Sequence, residues 1–297
     1  MISIIVCSYN TELLLQLKSS VIETIGVEHE FLIWDNRQEN KGICEVYNLM
    51  SAKARYPILC FVHEDVLFRS NGWGKYLIEL FRDKEYGLVG VAGSKFKSQT
   101  LSGWYTGIKG YDYLKIIHRL NGVDKVFTTP TGWNGSEEEV VIIDGVFMVC
   151  PLYVWQKVKF DEVNLKGFHF YDIDFAIRVS LIAKVLVTNT IDIVHLTTGG
   201  DYGDKWLDQA IIFHQIRRNL LPIGVDGKNV ENNRKEIEIA SRWLDSLRLE
   251  KISFNNKIKW IKLQGLHKHF NLWYPISKFF LYKITGAAYI HAIFRKK

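Results

Sequence analysis

The sequence is poor in cysteine and proline. Its four cysteines, Cys7, Cys44, Cys60 and Cys150, are spread over 297 residues. At least three sit in apolar runs, which argues against a disulfide framework and suits buried thiols in a reducing compartment; a cysteine-based zinc site is not expected. There are five prolines and no low-complexity tract, with 47% hydrophobic and 24% charged residues, so extensive disorder is not expected. No apolar window reaches about 18 uninterrupted residues, so a spanning helix is unsupported. The opening run, Ile2 to Cys7, lacks a basic leader and meets Ser8-Tyr9-Asn10 after six residues. It does not read as a secretory signal, and a cytoplasmic location is expected. Three motifs are missing too: Gly-x-x-x-x-Gly-Lys-Ser/Thr, Gly-x-Gly-x-x-Gly after the first strand, and Gly-x-Ser-x-Gly. P-loop, classical dinucleotide and nucleophile-elbow sites are therefore unsupported. The last absence is of one charge. Residues 251–297 hold ten Lys or Arg and no Asp or Glu, whereas the first 250 hold 28 basic and 32 acidic residues. The net charge of +6 belongs to the tail.

What is present alternates strands and helices on a chain long enough for one large α/β domain, or a domain plus an appendage. Ile2 to Cys7 reads as a buried strand and Glu12 to Ile25 as an amphipathic helix with Leu13, Leu14, Leu17 and Val21 on one face. Phe31 to Trp34 follows as a strand, Ile43 to Ala54 as a helix and Ile58 to Val62 as a strand, a pattern implying right-handed parallel crossovers. Leu77 to Phe81 reads as helix and Gly87 to Val91 as strand, while residues 93–138 are expected to be irregular and substrate-facing. Val140 to Cys150 is strand-like but interrupted at Asp144-Gly145. Beyond it come a helix over Phe170 to Ala183, strands over Ala183 to Val187 and Ile191 to His195, and helices over Trp206 to Leu221 and Glu236 to Leu249.

Polar residues cluster at the carboxyl ends of the first three strands: Ser8, Tyr9 and Asn10; Asp35 and Asn36; His63, Glu64 and Asp65. Ligands of open α/β sheets bind at that edge, so the three clusters point to one site, although strand ends also need polar turns for purely structural reasons. Carboxylates after the third strand suit a hard divalent ion bridging to phosphate oxygens. Asp172 and Asp174 open a helix, where acids also serve as caps. His195, at a strand end, reads equally as a metal ligand or an ordinary polar residue. Trp104, Tyr105, Tyr111, Tyr113 and Trp133 offer flat faces for sugar rings, or simple packing.

In order and context these residues resemble the family 2 type of GT-A glycosyltransferases, over roughly residues 1 to 220. The resemblance implies an α/β fold with a Rossmann-like mixed sheet and helices on both faces, its residues 1–92 holding the nucleotide and 93–220 the acceptor and metal. A helical extension, 221–297, is then basic and aromatic from 251. It implies that Ser8, Tyr9, Asn10, Asp35, Asn36, Gly42, Asn48 and Glu64 hold the nucleotide, and that Asp65 and His195 bind Mn²⁺ or Mg²⁺, with His63 in place of the usual first acid. Asp172 becomes the general base, Tyr171 stands where an acid is usual, and Asp144, Gly145, Trp133, Tyr171 and Asp174 fall near donor sugar or acceptor. The implied reaction moves a sugar from a UDP-, GDP- or dTDP-sugar to a glycan or lipid-linked glycan, with inversion, in cell-surface polysaccharide or glycoconjugate assembly. A catalytically silent carbohydrate- or nucleotide-binding protein and a sugar nucleotidyltransferase are the rival readings. The tail's aromatics and lysines suit an anionic membrane surface on the inner face of the plasma membrane, or a packed helical hairpin; no nucleic-acid partner is expected.

Overall fold

The structure, a computed structural model, describes residues 1–197, 202–225, 227–228, 233–249 and 252–264. Strand β1 (Ile2–Ser8) leads to α1 (Thr11–Thr24), β2 (His29–Asp35), α2 (Ile43–Ser51) and β3 (Ile58–Val62), the alternation read from the sequence. Ile2, Ile4, Ile5 and Val6 are fully buried, as expected of a central strand covered on both faces. Parallel β1–β2 pairing brings Ser8 opposite Asp35, and parallel β1–β3 pairing ends at Ile5 opposite Phe61. The three polar strand ends therefore lie along one edge. Asn10 caps α1, its side-chain oxygen accepting the N–H groups of Glu12 and Leu13 at 3.0 and 3.2 Å.

The chain continues through β4 (Val66–Phe68), α3 (Trp73–Leu80), β5 (Tyr86–Gly90), β6 (Ala92–Ser94), β7 (Phe96–Lys97), β8 (Asp112–Leu120) and β9 (Val123–Thr129). Residues 93–138 are more regular than their composition suggests. β9 pairs along its whole length with Leu114–Leu120 of β8, a hairpin around Asn121 and Gly122, whose φ angles of 51° and 79° are those this tight turn demands. The Asn-Gly pair was the available signal, masked by strands that are mostly half-exposed and mix polar with aromatic residues.

Next come β10 (Glu137–Val140), β11 (Ile142–Ile143), β12 (Phe147–Pro151), α4 (Leu152–Val158), α5 (Tyr171–Ser180), β13 (Lys184–Thr188) and β14 (Ile193–His195). The main sheet runs β10-β13-β5-β12-β3-β1-β2, with β12 antiparallel to β3 and β5, so it is mixed. A second sheet, β11-β6-β8-β14-β4, carries His195 beside β4. Asp144-Gly145 is the break between β11 and β12, the interruption visible in the sequence.

Helix α6 (Asp204–Ile216), strands β15 (Ile223–Gly224) and β16 (Gly227–Lys228), and helices α7 (Asn233–Leu249) and α8 (Phe254–Leu263) complete the described chain. Their apolar residues join the core that also holds α2 and α5. Trp243 of α7 stacks on Trp206 of α6, centroids 5.2 Å apart and 2° from parallel. Trp260 of α8 is buried and donates its indole N–H to the Leu101 carbonyl at 2.8 Å. Within the basic stretch, residues 252–264 thus pack on the domain; most of its aromatics and lysines fall at 265–297, outside the described residues. Among the described residues no helix is long and apolar enough to cross a membrane.

Candidate active site

At the carboxyl edge of the main sheet lies a cleft of about 460 Å³ lined by His63, Asp65, Trp104, Asp144, Gly145, Tyr171, Asp172, His195 and Trp206 among others. Its donor atoms converge. One from each of His63, Asp65 and His195 lies within 4.8 Å of the other two. His195 Nε2 stands 3.2 Å from Asp65 Oδ2, which also accepts the Thr197 hydroxyl at 2.8 Å. Burial would raise the Asp65 carboxyl, but the hydrogen bond and charge of His195, the charge of His63 and the Thr197 hydroxyl outweigh it and hold it at about 2. For His195, burial pulls downward while Asp65 pulls further upward, leaving it above its ordinary value. His63 is lowered, chiefly by burial, against the pull of Asp65 and Asp144. A neutral imidazole, an ionised carboxylate and a second imidazole oriented by that carboxylate fit a divalent cation.

On the other side of the cleft α5 begins with a strained residue. Phe170, at φ 67°, turns the chain so that Tyr171 and Asp172 open the helix facing the cleft. Its ring stacks on Phe213 of α6 at 5.2 Å, which anchors the turn. The Tyr171 hydroxyl donates to the Gly145 carbonyl at 3.2 Å and lies 2.8 Å from His63 Nε2, linking α5 to the His63-Asp65-His195 cluster. Asp172 accepts the N–H groups of Gly145 and Ile173, both at 2.8 Å. Burial, and next the negative charge of Asp144, nonetheless push its carboxyl up to about 7, against those two N–H groups. Only glycine fits at 145, because a β-carbon there would run into the Tyr171 hydroxyl and come within 3.1 Å of the Asp172 β-carbon.

Residues 3–197 match the glycosyltransferase like family. The chain belongs to that family. Among solved structures, S. aureus TarS 1-349 superposes with a TM-score of 0.52 at 14% identity, covering 88% of this chain and 78% of that one. GalNAc-T7, solved with UDP, GalNAc and Mn²⁺, gives a TM-score of 0.51 at 9% identity and covers 89% of this chain. The chain spans 54% of the GalNAc-T7 chain. These likenesses establish the GT-A fold expected from the sequence. No curated protein matches the sequence.

The cleft of this glycosyltransferase family member gathers Asp65, His195, Asp144, Gly145, Tyr171 and Asp172, six of the residues singled out from the sequence. His63 joins them as a third donor that the expected metal pair left out. Its signal was position: two residues before Asp65 at a strand end, where alternate residues share a face.

The first-strand turns are built differently. Glu64 points back to the β1 turn, accepting the Ser8 hydroxyl at 2.6 Å and the N–H groups of Tyr9 and Asn10 at 3.0 and 2.9 Å. Asn36 is buried and braces its own loop, bonding Tyr9, Trp34 and both backbone groups of Lys41. Asp35 stays exposed; its hydrogen bonds to Arg37 hold its carboxyl low, at about 2. Gly42 permits close approach, since a β-carbon there would strike the Lys166 carbonyl.

Three other expected residues lie away from the cleft. Asn48 bonds Trp155, Glu162 and both backbone groups of Phe160. Asp174 is fully buried and pairs with Arg178 and Arg217 at 2.7 and 2.5 Å. Trp133 packs edge-on against Tyr113 in the turn between β9 and β10.

Proposed function

We propose that this protein transfers a sugar from a nucleotide-sugar donor to a hydroxyl of a glycan or lipid-linked glycan, with inversion at the anomeric carbon. The observation that carries this reading is the pairing, across one cleft, of a His-Asp-His donor set with a carboxylate whose pKa is raised to about 7. GalNAc-T7, of the same fold, was solved with UDP, GalNAc and Mn²⁺. That supports a uridine diphosphate donor and manganese here.

His63, Asp65 and His195 would hold the cation, and the Thr197 hydroxyl fixes the Asp65 carboxylate by donating to it. Once bound, a divalent cation neutralises the charge that develops on a diphosphate leaving group. Asp172 takes the proton from the acceptor hydroxyl as the new glycosidic bond forms, and a carboxyl near pH 7 is matched to that task. The Gly145 and Ile173 N–H groups fix its orientation. A single base with direct displacement gives inversion. Exposed Asp35 and the Ser8-Tyr9-Asn10 turn, at the same sheet edge, suit the ribose and base.

The test is a panel of UDP-, GDP- and dTDP-sugars offered with Mn²⁺, Mg²⁺ or EDTA to the wild type and Asp172→Asn. The proposal expects metal-dependent donor binding in both and turnover in the wild type alone. Equal turnover in the two proteins would overturn the role of Asp172, and no binding of any nucleotide sugar would overturn the donor class.

A further inference from the structure

Beside the cleft lies a second hollow of about 360 Å³, within the range of small-molecule sites. Tyr105 and Gly107 of the loop before β8 line it, with Tyr202 before α6 and Arg242, Trp243 and Asp245 of α7. Tyr202 also lines the catalytic cleft, as do Gly103 and Trp104 of the same loop, so the two hollows share a wall. Helix α7 lies outside the residues that match the family, which end at 197.

The wall is aromatic and closely packed. Tyr202 stands edge-on to both Trp206 and Trp243, at 5.2 and 5.5 Å, while the two indoles stack on each other. The Trp243 indole N–H donates to the Tyr105 carbonyl at 3.2 Å, fixing the backbone that carries the Tyr105 ring, which is 45% exposed. Gly107, at φ +71°, leaves room for the guanidinium: a β-carbon there would come within 3.0 Å of Arg242 Cδ. Arg242 is matched by Glu238 at 3.0 Å, and Asp245 adds a further acid, so the local charge does not favour an anion.

A pyranose ring presents a face of C–H groups and a rim of hydroxyls. Aromatic walls with a few placed donors and acceptors suit that combination. We propose that this hollow is a distal acceptor subsite, binding a neutral pyranose residue of the acceptor beyond the one whose hydroxyl reacts at Asp172. The inference rests on the sugar-transfer reading and sharpens it: the acceptor is an oligosaccharide, and α7 selects it.

The experiment presents the full chain, with UDP and Mn²⁺, to an array of neutral oligosaccharides of hexose and N-acetylhexosamine and of uronic acid oligosaccharides. Tyr105→Ala and Arg242→Ala are compared with the wild type, because both side chains are exposed and neither holds the Trp206–Trp243 stack. The wild type should be retained on a subset of the neutral glycans, and each variant at least tenfold less, with Mn²⁺-dependent UDP binding unchanged in all three. Undiminished retention of both variants, retention on uronic acid glycans alone, or no retention of the wild type would overturn the subsite while UDP binding left the sugar-transfer reading standing. A wild type that bound no UDP would overturn that reading and the subsite with it.

Discussion

The two halves of the sheet edge present similar polar residues in sequence and use them in opposite ways. Around β1 and β2, Ser8, Tyr9, Asn10, Asn36 and Glu64 bond mainly to one another and to nearby backbone. From β3 to α5, His63, Asp65, Asp144 and Asp172 face a common cleft, where enclosure and neighbouring charge shift His63, Asp65 and Asp172 from their ordinary ionisation. The first half is a braced platform. The second holds the groups able to do chemistry, and the difference is visible between adjacent residues: Glu64 turns to the platform and Asp65 to the cleft.

The same division separates Asp172 from Asp174, and substitution there should give the largest effects. Asp172→Asn should lower transfer about 10² to 10⁴-fold in steady-state kinetics while leaving donor binding close to wild type and costing no more than about 1–2 kcal/mol of stability, since its amide nitrogen cannot accept one of the two backbone N–H groups. Asp174→Ala should do the reverse. It leaves a buried gap and takes a carboxylate from Arg178 and Arg217, which keep the Val158 and Lys159 carbonyls and Asp161, and urea unfolding should report a loss of about 2–4 kcal/mol. If Asp174→Ala were fully stable but inactive, the division would fail.

A smaller effect is expected from pH. The Asp172 carboxyl, raised to about 7, is protonated and unable to accept a proton at lower pH. With metal saturating, kcat/KM should rise about tenfold per pH unit and level off at or below about 7, because a cation in the same cleft favours the ionised carboxylate. A profile flat between pH 5 and 8 would remove Asp172 as the base.

The smallest effect should come from the platform. Glu64→Gln weakens the bonds to Ser8, Tyr9 and Asn10 and should cost about 1–2 kcal/mol of stability, measured by denaturant titration. It should raise KM for the donor with kcat retained; a collapse of kcat would place Glu64 in the chemistry instead.

Much of this is legible in the amino-acid sequence. The β1-α1-β2-α2-β3 succession follows from buried runs and helical spacing, and Asp144-Gly145 announces itself by breaking an apolar run. Alternation of strand and helix also locates the edge at which the site lies. It does not show which way each polar side chain turns. Asn36 and Asp35 are neighbours in a strand-end turn, yet one is buried and the other exposed. Asp174 is two residues past Asp172, a separation of about 200° around a helix, which places them on different faces. The partners that decide such cases, Arg217 for Asp174 and Trp155 for Asn48, stand 43 and 107 residues away. The β8–β9 hairpin is hidden for a different reason: its stability comes from cross-strand pairing, which composition does not register.

The comparison is tested most directly by titrating Mn²⁺, in the presence of UDP, into the wild type, His63→Ala and Glu64→Gln, following the spectrum of the free ion. The account predicts one bound Mn²⁺ for the wild type and Glu64→Gln, and its loss in His63→Ala. Equal binding by all three proteins, or loss in Glu64→Gln with retention in His63→Ala, would contradict it.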